Sequence, residues 1–124
     1  MPIDHAKLPV RDLAAARAFY AAALAPLGYR VIWDRSPTLG LGKGDGGDDD
    51  EPIAFELTAA PIARCHIAFV AAARNEVDAF HEAAVAAGGI DNGAPGERPY
   101  GDRYYAAFVL DPDGHNIEAV YKGA

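Results

Sequence analysis

The chain has 124 residues, a formal net charge of −7 and an apolar fraction of 51%, enough for one domain with its own core. The acidic balance argues against nucleic-acid and anionic-membrane partners, which select for basic stripes. One cysteine, Cys65, excludes an internal disulfide and is expected as a buried inert thiol. With no apolar run of membrane-spanning length and no basic-then-apolar leader, a soluble cytoplasmic protein is expected.

Residues 3–10 alternate and predict a strand. Asp12 then caps a helix whose apolar face is Leu13, Ala16, Phe19, Tyr20, Ala23 and Leu24, with Pro26 and Gly28 ending it. Further strands are expected over Tyr29–Asp34, Thr38–Lys43 and Ile53–Thr58, with a Gly/Asp-rich hairpin loop at Gly42–Pro52. Much of the negative charge, Asp45 to Glu51, falls in that loop and reads as solvated.

The order of elements then restarts. Cys65–Ala71 is a strand and Asn75–Ala87 a helix, with Val77, Phe80, Ala84 and Val85 on one face and Gly88-Gly89 at its end. Residues 89–100 read as irregular, with room for a short strand. Tyr104–Leu110 and Asn116–Tyr121 are strands either side of the turn Asp111–Gly114. The chain is thus βαβββ written twice: module one spans about residues 1–60, module two about 64–124, within a single domain 1–124. Neither module can bury a sheet face alone. The expected fold class is α+β: two paired βαβββ modules forming a curved mixed sheet, with the helices on its convex face and a concave site.

The strand period of two assigns faces. Leu8 and Val10, Phe55 and Leu57, Ile67 and Phe69, Ile117 and Ala119 take the helix side. His5, Glu56, His66 and Glu118 have the opposite parity and are expected on the concave side. Two imidazoles and a carboxylate, His5, His66 and Glu118, make a facial set for Fe(II) with open positions. With Glu56 as a fourth ligand the set suits Zn, Ni, Co or Mn. Such an ion polarises a carbonyl or enediolate oxygen while a loosely held carboxylate moves a proton.

The residues Asp4-His5, Val10-Arg11-Asp12-Leu13, Phe19-Tyr20 and Leu24-Ala25-Pro26-Leu27-Gly28-Tyr29 resemble the start of the vicinal oxygen chelate superfamily. That superfamily holds glyoxalase I, extradiol dioxygenases, and fosfomycin- and bleomycin-resistance proteins. His66-Ile67-Ala68-Phe69, Phe80-His81, Gly88-Gly89 and the run Phe108-Val109-Leu110-Asp111-Pro112-Asp113-Gly114-His115-Asn116-Ile117-Glu118 extend the resemblance over nearly the whole chain. It implies His5, His66 and Glu118 as ligands of a divalent metal ion (Zn, Ni, Co, Mn or Fe), and Glu56 as the glyoxalase-type fourth. It also implies a homodimer in which modules of two chains complete each site. Where glyoxalase I carries an arginine and an asparagine that touch glutathione, this chain has Pro9 and Ala60.

Three functions are therefore expected to compete. One is a metal-dependent glyoxalase-like lyase or isomerase of a small oxygen-rich substrate, with Glu118 and Glu56 catalytic and Tyr105 as a phenol donor. The second is an Fe(II) extradiol-type dioxygenase, for which His115 is the acid–base candidate. The third is a metal-free drug-binding protein of the bleomycin-resistance kind. Arg98 and Arg103 are candidate partners for a substrate carboxylate, and Trp33 a lid or dimer residue.

Overall fold

The computed structural model describes residues 5–43 and 55–123. Most of the acidic loop expected within 42–52, and the first two residues of the strand expected over Ile53–Thr58, lie outside them. Module one runs β1 (Ala6–Val10), α1 (Leu13–Ala23), a 3-10 turn (Ala25–Leu27), β2 (Tyr29–Arg35), β3 (Thr38–Lys43) and β4 (Phe55–Ala59). Module two runs β5 (His66–Val70), α2 (Arg74–Ala86), β6 (Ile90–Glu97), β7 (Tyr105–Leu110) and β8 (Asn116–Tyr121). The α+β class and the paired βαβββ modules are as the sequence predicts. Each module forms its own open four-stranded sheet, ordered β1-β4-β3-β2 and β5-β8-β7-β6.

Local chemistry sets the boundaries. The Asp12 carboxylate accepts a hydrogen bond from the Ala15 N–H at 3.2 Å, satisfying one of the free donors at the start of α1. Pro26 sits in the 3-10 turn, and Gly28 closes it in the left-handed region at φ 90°. Residues 90–97 form a full strand, β6, where the sequence left room only for a short one. Pro95 and two glycines hid it. β6 is an edge strand, where a missing N–H is tolerated, and its pairing with β7 shifts register twice, at Asp91/Gly93 and Gly93/Gly96.

One core serves both modules. Leu8, Val10, Leu39, Leu41, Phe55 and Leu57 of the first sheet join Phe69, Ala107, Val109, Ile117 and Ala119 of the second around α1 and α2. Phe55 meets Phe69 edge to face at 5.2 Å, and Phe69 meets Tyr29 at 5.3 Å. Both sheets thus turn their apolar faces into a common centre. Cys65 only packs against its margin, half-buried, with its thiol on the Ala63 carbonyl at 3.3 Å. Among the described residues no helix is long and apolar enough to cross a membrane.

Candidate functional site

The two parallel strand pairs share one register. In module one Lys7 lies opposite Glu56, and in module two Ala68 lies opposite Glu118. His5 is two residues before Lys7, and His66 two before Ala68, so each histidine is the diagonal same-face neighbour of its glutamate. The side chains meet accordingly: His5 Nε2 is 3.2 Å from Glu56 Oε2, and His66 Nε2 is 3.0 Å from Glu118 Oε1. Both pairs lie on the faces turned away from the core.

The surroundings repeat as well. Across the first sheet the row is Lys7, Glu56, Gly40 and Trp33; across the second it is Ala68, Glu118, Phe108 and Gly93. A Cβ on Gly40 would lie 2.6 Å from the Trp33 indole, and one on Gly93 would lie 2.9 Å from the Phe108 ring. Each glutamate therefore has beside it an aromatic ring laid over a glycine, with the two roles exchanged between strands. Trp33, expected as a lid or dimer residue, is the wall of the Glu56 site. Its indole nitrogen is buried without a hydrogen-bond partner among the described residues.

Within one chain the four residues stand as two pairs. Among the described residues the one group of three ligand-type side chains within 4.8 Å of one another is Asp111, Asp113 and His115. Its atoms are already committed. Tyr20 donates its hydroxyl to Asp111 Oδ2 at 2.6 Å, and the Asp113 and His115 N–H groups donate to Asp111 Oδ1 at 2.9 and 2.8 Å. The Arg11 N–H donates to both oxygens of Asp113 at 3.3 Å. The Cys65 N–H donates to His115 Nδ1 at 2.9 Å, so the ring proton is on Nε2 and goes to the Pro9 carbonyl at 2.7 Å. That leaves His115 no lone pair for an ion. The cluster is a brace tying β1, α1 and β5 to the β7–β8 turn. His115, fully buried, is removed from any acid–base role on the outer face.

His66 has the other tautomer. Its Nδ1 is 2.9 Å from the Asn116 carbonyl, which can only accept, so Nδ1 carries the proton and Nε2 faces Glu118. A neutral ring would aim a lone pair at a carboxylate, an arrangement satisfied by an imidazolium or by a cation between the two. Ligands roughly 2.1 Å from one ion at right angles lie about 3 Å apart, as these atoms do. The donor set thus fits a divalent metal.

Glu118 is 2% exposed, yet both its oxygens are held: His66 takes one and the Tyr104 hydroxyl donates to the other. That hydrogen bond, with burial second, pushes the Tyr104 phenol up to about 12, so it remains a donor at neutral pH. Tyr104 therefore has the position expected of Tyr105. Tyr105 does share a face with Ala107 and Val109, but that is the core face, and its hydroxyl donates to Asp78 of α2 at 2.6 Å. The pairing of Phe108 with Glu118 is the signal that separates them, because directly opposed residues share a face. His81, on α2, bonds Asp91 at 2.9 Å.

The family model described as the Glyoxalase/Bleomycin resistance protein/Dioxygenase superfamily matches residues 2–119. Among solved structures, a glyoxalase/bleomycin resistance protein from Albidiferax ferrireducens T118 is 26% identical with a TM-score of 0.81, covering 99% of this chain and 100% of that one. A lactoylglutathione lyase from Agrobacterium tumefaciens shares the fold at 19% identity and TM-score 0.66, covering 94% and 90%. The E144Q mutant of glyoxalase I from Zea mays does so at 24% and 0.68, where the match spans 95% of this chain and 46% of that one. A search of curated proteins found no match.

Proposed function

Because the chain belongs to the Glyoxalase/Bleomycin resistance protein/Dioxygenase superfamily, we propose that it is a metal-dependent, glyoxalase-like lyase or isomerase of a small oxygen-rich molecule. His5 and Glu56 of one protomer and His66 and Glu118 of another would hold the ion in a homodimer. The observation that carries this reading is the repeat of the His–Glu pair in the same register on two outward faces. Two half-sites that point away from a shared core are complete only when each meets the other kind.

A divalent ion bound by these residues would supply Lewis-acid chemistry at a substrate carbonyl and its neighbouring oxygen, acidifying the C–H next to the carbonyl carbon. The two carboxylates are suited to different tasks. Glu118, clamped by His66 and Tyr104 and 2% exposed, is fixed in position. Glu56, its side chain 12% exposed and paired to His5 through Oε2 at 3.2 Å, is the freer of the two and is assigned the proton shuttle through its other oxygen. A two-plus-two donor set favours this chemistry over an Fe(II) dioxygenase, which uses three protein ligands.

Elemental analysis of purified wild type, His66→Ala and Glu118→Ala tests the reading. We expect about one metal ion per protomer in wild type and loss of most of it in each variant. Wild type that stays metal-free after reloading with zinc, nickel, cobalt, manganese and iron would sink the proposal in favour of a ligand-sequestering protein.

A further inference from the structure

Beside the His66–Glu118 pair is a cavity of about 260 Å³ lined by Asn92, Gly93, Arg98, Tyr100, Phe108 and Asn116. Two of its walls are shared with the pair. Phe108 stacks on the His66 ring at 6.1 Å and 26°, and Asn116 is the residue whose carbonyl orients His66. The lining is rich in donors: a guanidinium, two carboxamides and a phenol. It includes no carboxylate.

Arg98 is held in place rather than waving in solvent. Its Nη2 donates to the Ala94 carbonyl at 2.6 Å, its Nη1 donates to the Glu97 carbonyl at 3.3 Å, and its guanidinium lies 5.4 Å from the Phe108 ring centre. A Cβ on Gly93 would approach Nη2 to 3.2 Å, and one on Gly96 would approach Nη1 to 3.1 Å. The same glycines that obscure β6 in the sequence thus leave the space the arginine occupies. Two of its N–H groups are used for anchoring, and among the described residues the other donors of the fork are left to serve a ligand. Asn92 Nδ2 donates to Asn116 Oδ1 at 3.2 Å, which leaves the Asn116 amide hydrogens available.

We propose that this cavity is a carboxylate subsite, with Arg98 as its specificity-determining residue. The substrate is then a small carboxylic acid carrying an oxygen on the neighbouring carbon, of the 2-hydroxy or 2-oxo acid class. A single planar fork beside neutral amides matches a singly charged planar carboxylate better than a dianionic phosphate. The reacting part of the substrate class rests on the metal-dependent reading above; the carboxylate contact does not.

The test is a backbone-amide NMR titration of the full chain, as purified and again after chelation and desalting. The probes are mandelate, methyl mandelate and inorganic phosphate. We expect saturable shifts at Asn92, Gly93, Arg98 and Asn116 with mandelate. Loss of the charged contact in Arg98→Gln, or of the probe's charge in methyl mandelate, is expected to weaken binding about tenfold or more. Arg98→Lys, which keeps the charge but not the fork, is expected to fall between. Equal affinity for acid and ester in wild type, undiminished mandelate binding in Arg98→Gln, no binding of mandelate, or tighter binding of phosphate would each overturn the proposal. Arg98-dependent mandelate binding by a protein that takes up no metal on reloading would uphold it while removing the lyase reading.

Discussion

Adjacent tyrosines show how a one-residue step decides a role. Tyr104 grips Glu118 while Tyr105 grips Asp78 on the other side of the sheet. On the metal-dependent reading proposed above Tyr104 orients a ligand, and such groups commonly govern affinity by 10- to 100-fold, so Tyr104→Phe is expected to raise the metal dissociation constant by about tenfold. Tyr105→Phe should leave it unchanged; competition with a chelating dye reads both. Tyr20 carries a different prediction. Burial, reinforced by the Asp111 carboxylate, pushes its phenol far above the ordinary tyrosine range. A raised folded-state pKa means this stabilisation is complete below the ordinary value and declines as pH climbs above it. Tyr20→Phe leaves a buried Asp111 oxygen unpaired and is expected to cost about 1–3 kcal/mol in urea unfolding at pH 7. The gap between variant and wild type should shrink in unfolding measured above about pH 10. A gap that is constant across pH would show that the hydrogen bond is not what the variant removes.

At the level of the strand, the aromatic-over-glycine pairs fix the outer wall of each half-site. Gly40→Ala drives a methyl into the Trp33 ring, itself covered by Arg35 at 4.7 Å from the ring centre. Overpacking of this kind costs about 1–3 kcal/mol, and the indole emission should shift as the ring moves; unchanged emission and stability would mean the wall yields freely. These elements also mark what the sequence discloses. The strand period alone separated His5, Glu56, His66 and Glu118 from the apolar faces, because Leu8, Phe55, Phe69 and Ile117 leave one choice of side. Helix limits followed from Asp12 and from Gly28. The strand β6 did not follow, since Pro95, Gly93 and Gly96 carry turn chemistry and are tolerated only by its edge position. Nor did the separation of the quartet into two pairs, which depends on Phe55 meeting Phe69 across the centre, a long-range contact invisible to periodicity.

Seen as a whole, the molecule is two modules held by a shared apolar core and by the brace from Pro9 and Tyr20 to Asp111 and His115. The brace joins residues some 90 to 106 positions apart in the chain, so it fixes how the modules sit without touching either His–Glu pair. In the homodimer proposed above, the placement of those pairs on separate outward faces bears on inheritance of function between subunits. A His5→Ala chain keeps an intact second half-site, and a His66→Ala chain keeps an intact first one. In a mixed dimer of the two, one composite site gathers both lesions and the other gathers none. Equal mixing after unfolding and reassembly should therefore restore about a quarter of the wild-type sites from two inactive parents, whereas a site built within one chain would restore nothing.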